Sequence, residues 1–590
     1  MSTRSRQLAG AALLLMLFTL TLGILGSAGE APADFVFNNG AEIQSLDPAT
    51  ITGIPEGRVL RAIFEGLVVM HPRTLEPVPG VAESWQVSDD RKTYTFRIRA
   101  NARWSNGDPV TAQDFIYSWE RLLNPATAAE YAYQLWYVRG ARAYTHSAPD
   151  ALPPFDSVGL RALDDSTLEI ELEQPTPFFL DLLSFYALFP IHPASHANAR
   201  ERFGDGWEYQ WLKPEHLVTN GPFRIVERRV NDRIRLLRND RYWDVDNVAL
   251  RSIDVLAVDS YSTGLNLYLT GQADWIDRVP MMHAARLMQR EDFKPRTYLG
   301  SYFFRLNVTR GPLRDPRVRR ALSLTVPRQE ICDKITQCGQ TPIYGLVPPG
   351  ISAYQSAATP PASEESARLE AQSLLAAAGF GPGGTPFPTI EIHYNHSEAH
   401  RDIAEVIGTA WRRHLGVRVK FLNQEWKVYL DTQSSLDYDI SRSAWIGDYV
   451  DPNSFLDLFV TGGENNKTGW GDPEYDALLR RAALELAPTR RMELLQQAER
   501  LLLEAMPIIP VFTYASQNLV SPRLGGFHEN ILDVHFPKFW YWMDDAELTA
   551  VRAAYPSAAP GESFQHVRAT GPARGLYSLA AQRLRVADRR

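Results

Sequence analysis

Between Ser443 and Phe459 the chain reads SAWIGDYVDPNSFLDLF, which places two aspartates three residues apart beside Trp445. Asp451 is followed by Pro452 and an apolar run, the pattern of a carboxylate at a helix N-terminus with proline in the first turn. Asp448 has no such duty. It is either an ordinary surface aspartate or a receiver for a ligand's ammonium group through a charge-assisted hydrogen bond. HYNHSEAH brings His393, His396 and His400 close together in sequence. Across a strand end, however, His393 and His396 point in opposed directions, which is a poor start for a metal site. Cys332 and Cys338, in ICDKITQCGQ, do not have metal-ligand spacing, and a bridge between them would close only a local loop. The basic run RDPRVRRAL is a helix start capped by Asp315 and Pro316 with its charges on a solvent face. No G-x-S-x-G, H-E-x-x-H or Walker loop is present. A triad assembled in space from scattered Ser, His and Asp stays open, so a secreted hydrolase is the alternative from another class.

The elements that must hold these residues follow from periodicity. FVFNN (Phe35 to Asn39), Tyr94 to Arg99 and Ser166 to Leu172 read as strands, and Val59 to Val69 as an amphipathic helix. Thr111 caps a helix, because TAQD sets a carboxylate three residues on. From Pro388 the order is regular: strand to Tyr394, helix His400 to His414, strand Val417 to Leu422, short helix Val428 to Gln433, strand Tyr438 to Ser443. Such alternation predicts βαβ units and a largely parallel sheet, with ligands gathered at the carboxyl ends of its strands. Trp445 and Asp448 follow the last strand, and Asn395 and His396 follow the first, so all four are expected at one crevice. GFGPGGTPFP (Gly379 to Pro388) is a helix C-cap and loop, without the lysine of a phosphate cradle.

The chain's 590 residues exceed one hydrophobic core, and 45% hydrophobic with 22% charged content is that of a folded protein. A net charge of -8 argues against nucleic acid as a partner. Arg4, Arg6, the apolar run Leu8 to Leu25 and the small residues of GSAGEAPA form the pattern of a cleaved secretory leader over residues 1–29. A retained membrane anchor is the alternative. No cysteine stands near the leader's exit to accept a lipid, and a periplasmic location is expected. From Met543 the chain is Ala-, Gly- and Arg-rich, the composition of a flexible tail.

The stretch around Asp448 resembles that of periplasmic oligopeptide-binding proteins, the solute receptors of peptide ABC importers. The resemblance continues through NNGAEIQSLDPATITGIPEG, EGLVV, VAESW, NARWSNGDPVTAQDFIYSWERLLNP, VTNGPFRI, RNDRYWD, PLRDPRVRRAL and NQEWKVYLDT, in family order from about Phe35 to Trp542. It implies an α/β, two-lobed periplasmic binding protein of type II, with three subdomains and hinge-bending closure. Lobe I would comprise residues 30–64, 190–299 and 510–542, with an inserted subdomain at 65–189. The other lobe would comprise residues 300–509, and the tail 543–590.

The resemblance assigns Asp448 to the peptide's α-ammonium group, and Trp445, Trp426 and Tyr131 to the walls of side-chain pockets. Main-chain groups near Ile54, Phe303 and Ala444 would bond the peptide as an added strand. Arg442 and His400 would receive the C-terminal carboxylate of peptides of different lengths, with Asn395 at the same crevice. Thr336 stands where some members carry a lysine for short peptides, and Cys332 and Cys338, if bridged, would fix that loop. The implied partners are short peptides and an inner-membrane ABC permease, for a monomer with no cofactor and no catalysis. Within the family the rival ligand is a murein peptide; a metal is the rival from outside it.

Overall fold

The computed structural model describes residues 31–381, 384–463 and 465–554, so the expected leader and the chain after Ala554 lie outside the described residues. One sheet gathers seven strands from distant parts of the sequence. Its strand Phe35–Asn38 runs parallel to Ser252–Leu256 on one side and to Trp275–Ile276 on the other. Arg233–Arg238 and Phe223–Arg229 extend the first side, and Asn518–Val520 and Phe293–Lys294 the second, all antiparallel. A four-stranded antiparallel sheet lies between these segments in sequence: Ala82–Val87, Thr93–Ile98, Thr167–Glu171 and Leu160–Asp164. Helix Ala112–Leu123 packs with it, and the Asp114 carboxylate accepts from the Thr111 N–H at 3.0 Å, as the capping pattern predicts. Both sheets feed one continuous apolar core.

The helix expected over Val59 to Val69 is instead Ile54–Ile63, and Val68–Met70 is a strand paired with Pro77–Pro79. Pro55 starts the helix early, since its fixed φ and missing N–H suit a first turn. Gly66 is a site of close approach, where a Cβ would stand 3.0 Å from the Phe189 ring and 3.2 Å from the Leu183 carbonyl.

The second large sheet has six strands in the order Thr341–Pro342, Ile508–Ala515, Thr297–Leu306, Ile440–Ile446, Ile390–Asn395, Val419–Gln424. Only the pairings of Ile390–Asn395 with its two neighbours are parallel. The sheet is therefore mixed rather than largely parallel, because Thr297–Leu306 and Ile508–Ala515 enter it antiparallel from outside the βαβ run. Thr297–Leu306 is buried on both faces: Tyr302, Phe304 and Leu306 join one core with helix Glu398–Leu415, while Leu299 and Phe303 join another with helix Pro488–Ala505. That explains an apolar run without alternation.

The two large sheets are joined by residues 295–296 and 516–517, which run side by side with the Ser516 N–H donating to the Arg296 carbonyl at 2.8 Å. On one side Lys294 pairs with Asn518, on the other Thr297 with Ala515. Both strands adjoining these connections lie wholly in the six-stranded sheet, so the passage between sheets falls a few residues outside the expected Gly300 and Pro510. The tail begins as helix Asp545–Ala554, where a flexible segment was expected. Among the described residues no helix is long and apolar enough to cross a membrane.

Candidate functional site

Strand Ile440–Ile446 carries most of the candidate residues on or just beyond its carboxyl end. It reaches past the expected Ser443, so Trp445 lies within it, opposite Ser301. Gly447 then brings the chain close to Leu299 and Phe455; a Cβ there would stand 2.7 Å from the Leu299 side chain. This close approach sets the position of Asp448, whose N–H donates to Ser454 Oγ at 3.1 Å.

The Asp448 carboxylate is half-buried and has no basic partner among the described residues. Tyr133 Oη, from the inserted segment, donates to its Oδ2 at 3.4 Å. Burial pushes the Asp448 carboxyl up to about 6, with Tyr133 pulling the other way. Around it lies an aromatic cluster: Tyr131 packs edge-on to Phe185 at 4.8 Å and to Tyr186 at 6.1 Å. Tyr131 and Tyr186 both donate to the Thr52 carbonyl, holding the loop before Ile54, whose side chain is exposed at the start of its helix. Next door, Tyr449 stacks on Phe178 with centroids 4.7 Å apart.

A second cluster centres on Tyr302. The Arg442 guanidinium lies 4.8 Å over its ring and donates to Tyr514 Oη at 3.1 Å and Asn395 Oδ1 at 3.4 Å. Arg442 meets no carboxylate among the described residues, and its buried Nε has no hydrogen-bond partner. His400 Nδ1 stands 3.3 Å from Tyr302 Oη. Burial, and after it the Arg442 charge, holds the imidazole down at about 3. His400 is therefore neutral at pH 7, a hydrogen-bonding group without charge. Trp426 is half-exposed, stacks on Tyr429 and borders a cleft of about 450 Å³ with His396, Asn423, Gln424 and Glu425.

Arg442 and Trp445 alternate to opposite faces of their strand. The Trp445 indole N–H is buried without a partner, which suits it to a ligand oxygen. Ala444 is opposite Tyr302, and beyond Ser441 no register partner on Ile390–Asn395 covers its strand. Phe303 differs: it is flanked by Ser443 and Pro510 and its ring is buried, so a sheet interior stands where open main chain was expected.

Other residues singled out in the sequence have the following surroundings. Cys332 and Cys338 are free thiols in separate cores, so no bridge fixes their loop. Burial pushes them up to about 12 and about 11 respectively. Thr336 is buried between them and donates to the Cys332 carbonyl. His393 is fully buried and bonded to Ser441 and Gln424, and among the described residues no group of His, Cys, Asp and Glu could hold a metal. Asp451 is structural, but as a buried ion pair with Arg491 at 2.5 and 2.9 Å that also accepts from the Asn453 N–H. In RDPRVRRAL, Arg319 turns inward to backbone carbonyls instead of facing solvent. A separate open cleft of about 1580 Å³, bordered by Tyr117, His196 and Trp207, contains none of the candidate residues.

Residues 76–467 match the model of bacterial extracellular solute-binding proteins, family 5. This chain is a family 5 solute-binding protein. The family 5 protein is 34% identical to the periplasmic murein peptide-binding protein of Escherichia coli, over 88% of this chain and 96% of that one. It is 37% identical to the periplasmic oligopeptide-binding protein of Salmonella typhimurium, over 85% and 91%. Among solved structures it resembles the murein tripeptide-binding protein in its unliganded open form (TM-score 0.76, 34% identity, 87% and 98% covered). It also resembles Haemophilus influenzae OppA in complex with the peptide RPPGFSPFR (TM-score 0.68, 32% identity, 87% and 100% covered). The α/β binding-protein fold implied by the resemblance is thus this protein's fold, and its family is one of solute binders rather than enzymes.

Tyr133 was missed by sequence reasoning. The aromatic density of YAYQLWY was a signal, but only the fold shows which of its rings reaches Asp448.

Proposed function

We propose that this family 5 protein is a periplasmic receptor that captures short peptides by their main chain and termini and delivers them to an ABC permease. The observation that carries this reading is a split ion pair on one strand and the turn just after it: among the described residues Asp448 is a carboxylate without a cation, and Arg442 a guanidinium without a carboxylate. They stand six positions apart, at most ~20 Å of extended chain. A zwitterionic peptide of up to about five or six residues would supply both missing charges at such a spacing. Trp445 N–H and the uncovered edge near Ala444 would bond its backbone, with Ile54 across the crevice. Trp426 and Tyr131 would wall side-chain pockets, and His400 and Asn395 would assist at the carboxylate end.

In this reading residues 30–64, 190–294 and 518–542 form one lobe carrying the insertion 65–189, and residues 297–515 form the other. The paired connections at 295–296 and 516–517 are the hinge, and ligand contacts to both lobes shift the population toward closure. The protein works as a monomer after removal of residues 1–29, without a lipid anchor, and performs no covalent chemistry. A murein peptide is the second reading, favoured by the likeness to the murein peptide-binding relative across nearly its whole length.

Mass spectrometry of the small molecules released on denaturing undialysed protein is the test. A ladder of short peptides supports the first reading, and a dominant diaminopimelate-containing species the second. A bound molecule with no peptide in it overturns both.

A further inference from the structure

The crevice holds a second cation that the split pair does not use. Arg61 lies in the helix Ile54–Ile63 that begins at the crevice, and its guanidinium sits 5.0 Å over the Tyr186 ring. Its Nε is enclosed without a hydrogen-bond partner, and no carboxylate pairs with it among the described residues. The buried Arg319, Arg328 and Arg491 each hold backbone carbonyls or a carboxylate, whereas the partly buried Arg61 holds neither among the described residues. The nearby Arg58 is likewise paired, with Asp277 at 2.5 Å. Arg61 stands at the Asp448 end of the crevice: Tyr186 beneath it meets Tyr131 edge-on, and Tyr131 meets Tyr133, whose hydroxyl donates to Asp448, with centroids 5.9 Å apart. Tyr186, which touches both Tyr131 and Arg61, closes the same wall.

Charge counting then decides the ligand class. Among the described residues Asp448, Arg442 and Arg61 adjoin the crevice without an ion-pair partner, and a neutral zwitterion can satisfy only one carboxylate and one guanidinium. We infer that Arg61 is a specificity-determining residue that receives an additional carboxylate near the ligand's amino end, so that the protein prefers peptides carrying a net negative charge. A planar fork over an aromatic ring suits a bidentate carboxylate. This inference rests on the peptide reading above. The carboxylate has two chemical sources: an acidic side chain of an ordinary α-linked peptide, or the free α-carboxyl of a γ-linked glutamate.

The test is calorimetry with the mature protein, stripped of ligand by unfolding and refolding, using Glu-Ala-Ala, Ala-Glu-Ala, Ala-Ala-Glu, their Gln counterparts and Ala-γ-Glu-Ala. At one position the Glu peptide is expected to bind at least tenfold tighter than its Gln counterpart. That ratio should fall below about threefold in Arg61→Gln and stay intermediate in Arg61→Lys, with melting curves confirming that both variants fold. The stronger of Ala-Glu-Ala and Ala-γ-Glu-Ala identifies the source. Measurable binding with Glu-to-Gln ratios near one throughout overturns the role of Arg61 alone, as does a ratio that survives in Arg61→Gln. Absence of binding to every peptide overturns the peptide reading and this inference with it.

Discussion

At pH 7 most Asp448 side chains are ionised, and in the empty crevice Tyr133 is the one side chain that donates to this charge among the described residues. An arriving ammonium completes the pair. Asp448→Asn should therefore weaken peptide binding by about 2 to 5 kcal/mol, the usual consequence of removing one member of a buried charge pair; an unchanged dissociation constant would take Asp448 out of the site. The pH dependence has a definite sign. The bound form needs the carboxylate, so affinity should be level above pH 7 and fall as pH drops through about 6, approaching tenfold per unit. Without ligand the linkage runs the other way. A carboxyl held above its ordinary 3.8 contributes stability that is fully present below that value and is lost as pH rises through about 6. Asp448→Asn should accordingly stabilise the ligand-free protein at pH 7 by ~1–3 kcal/mol, seen as a raised melting temperature. A lowered one would mean that the ionised side chain supports the fold. Sequence reasoning reached Asp448 and Arg442 through their strand, but the neutrality of His400 was not legible, because it arises from burial beside a charge 42 positions away in sequence.

Elements with a strong local period were legible: Phe35–Asn38, Thr93–Ile98, Thr167–Glu171 and the run from Ile390 to Ile446 form where alternation or turn chemistry predicts them. What failed was non-local. The strands that make the second sheet mixed are separated by two hundred residues, and nothing in either announces the other. Asp451 shows the same division. Its structural duty was readable from the following proline, yet its partner Arg491 lies on the long helix Pro488–Ala505. That pair ties the loop after Asp448 to the helix beneath it. Asp451→Ala should cost about 3 to 5 kcal/mol, since it leaves Arg491 charged and buried without its carboxylate. Denaturant unfolding with a loss under 1 kcal/mol would show that water or rearrangement replaces the pair.

For the whole molecule the issue is how two lobes communicate through so little chain. Residues 295–296 and 516–517 are adjacent and hydrogen-bonded, so in the proposed closure bending there would turn one sheet relative to the other. Saturating peptide should reduce the radius of gyration measured by small-angle scattering, and identical profiles with and without bound peptide would remove the hinge from the mechanism. The same topology governs the order in which the molecule can be made. In the first sheet Asn518–Val520 lies between Trp275–Ile276 and Phe293–Lys294. Phe293–Lys294 has no neighbour to pair with until that late strand arrives. During synthesis the slot beside Trp275–Ile276 stays vacant until residue 520 has left the ribosome, nearly the end of the chain. The first sheet is thereby kept from completing early, a delay that would suit the export proposed above, in which the polypeptide is threaded unfolded through a membrane pore before it folds.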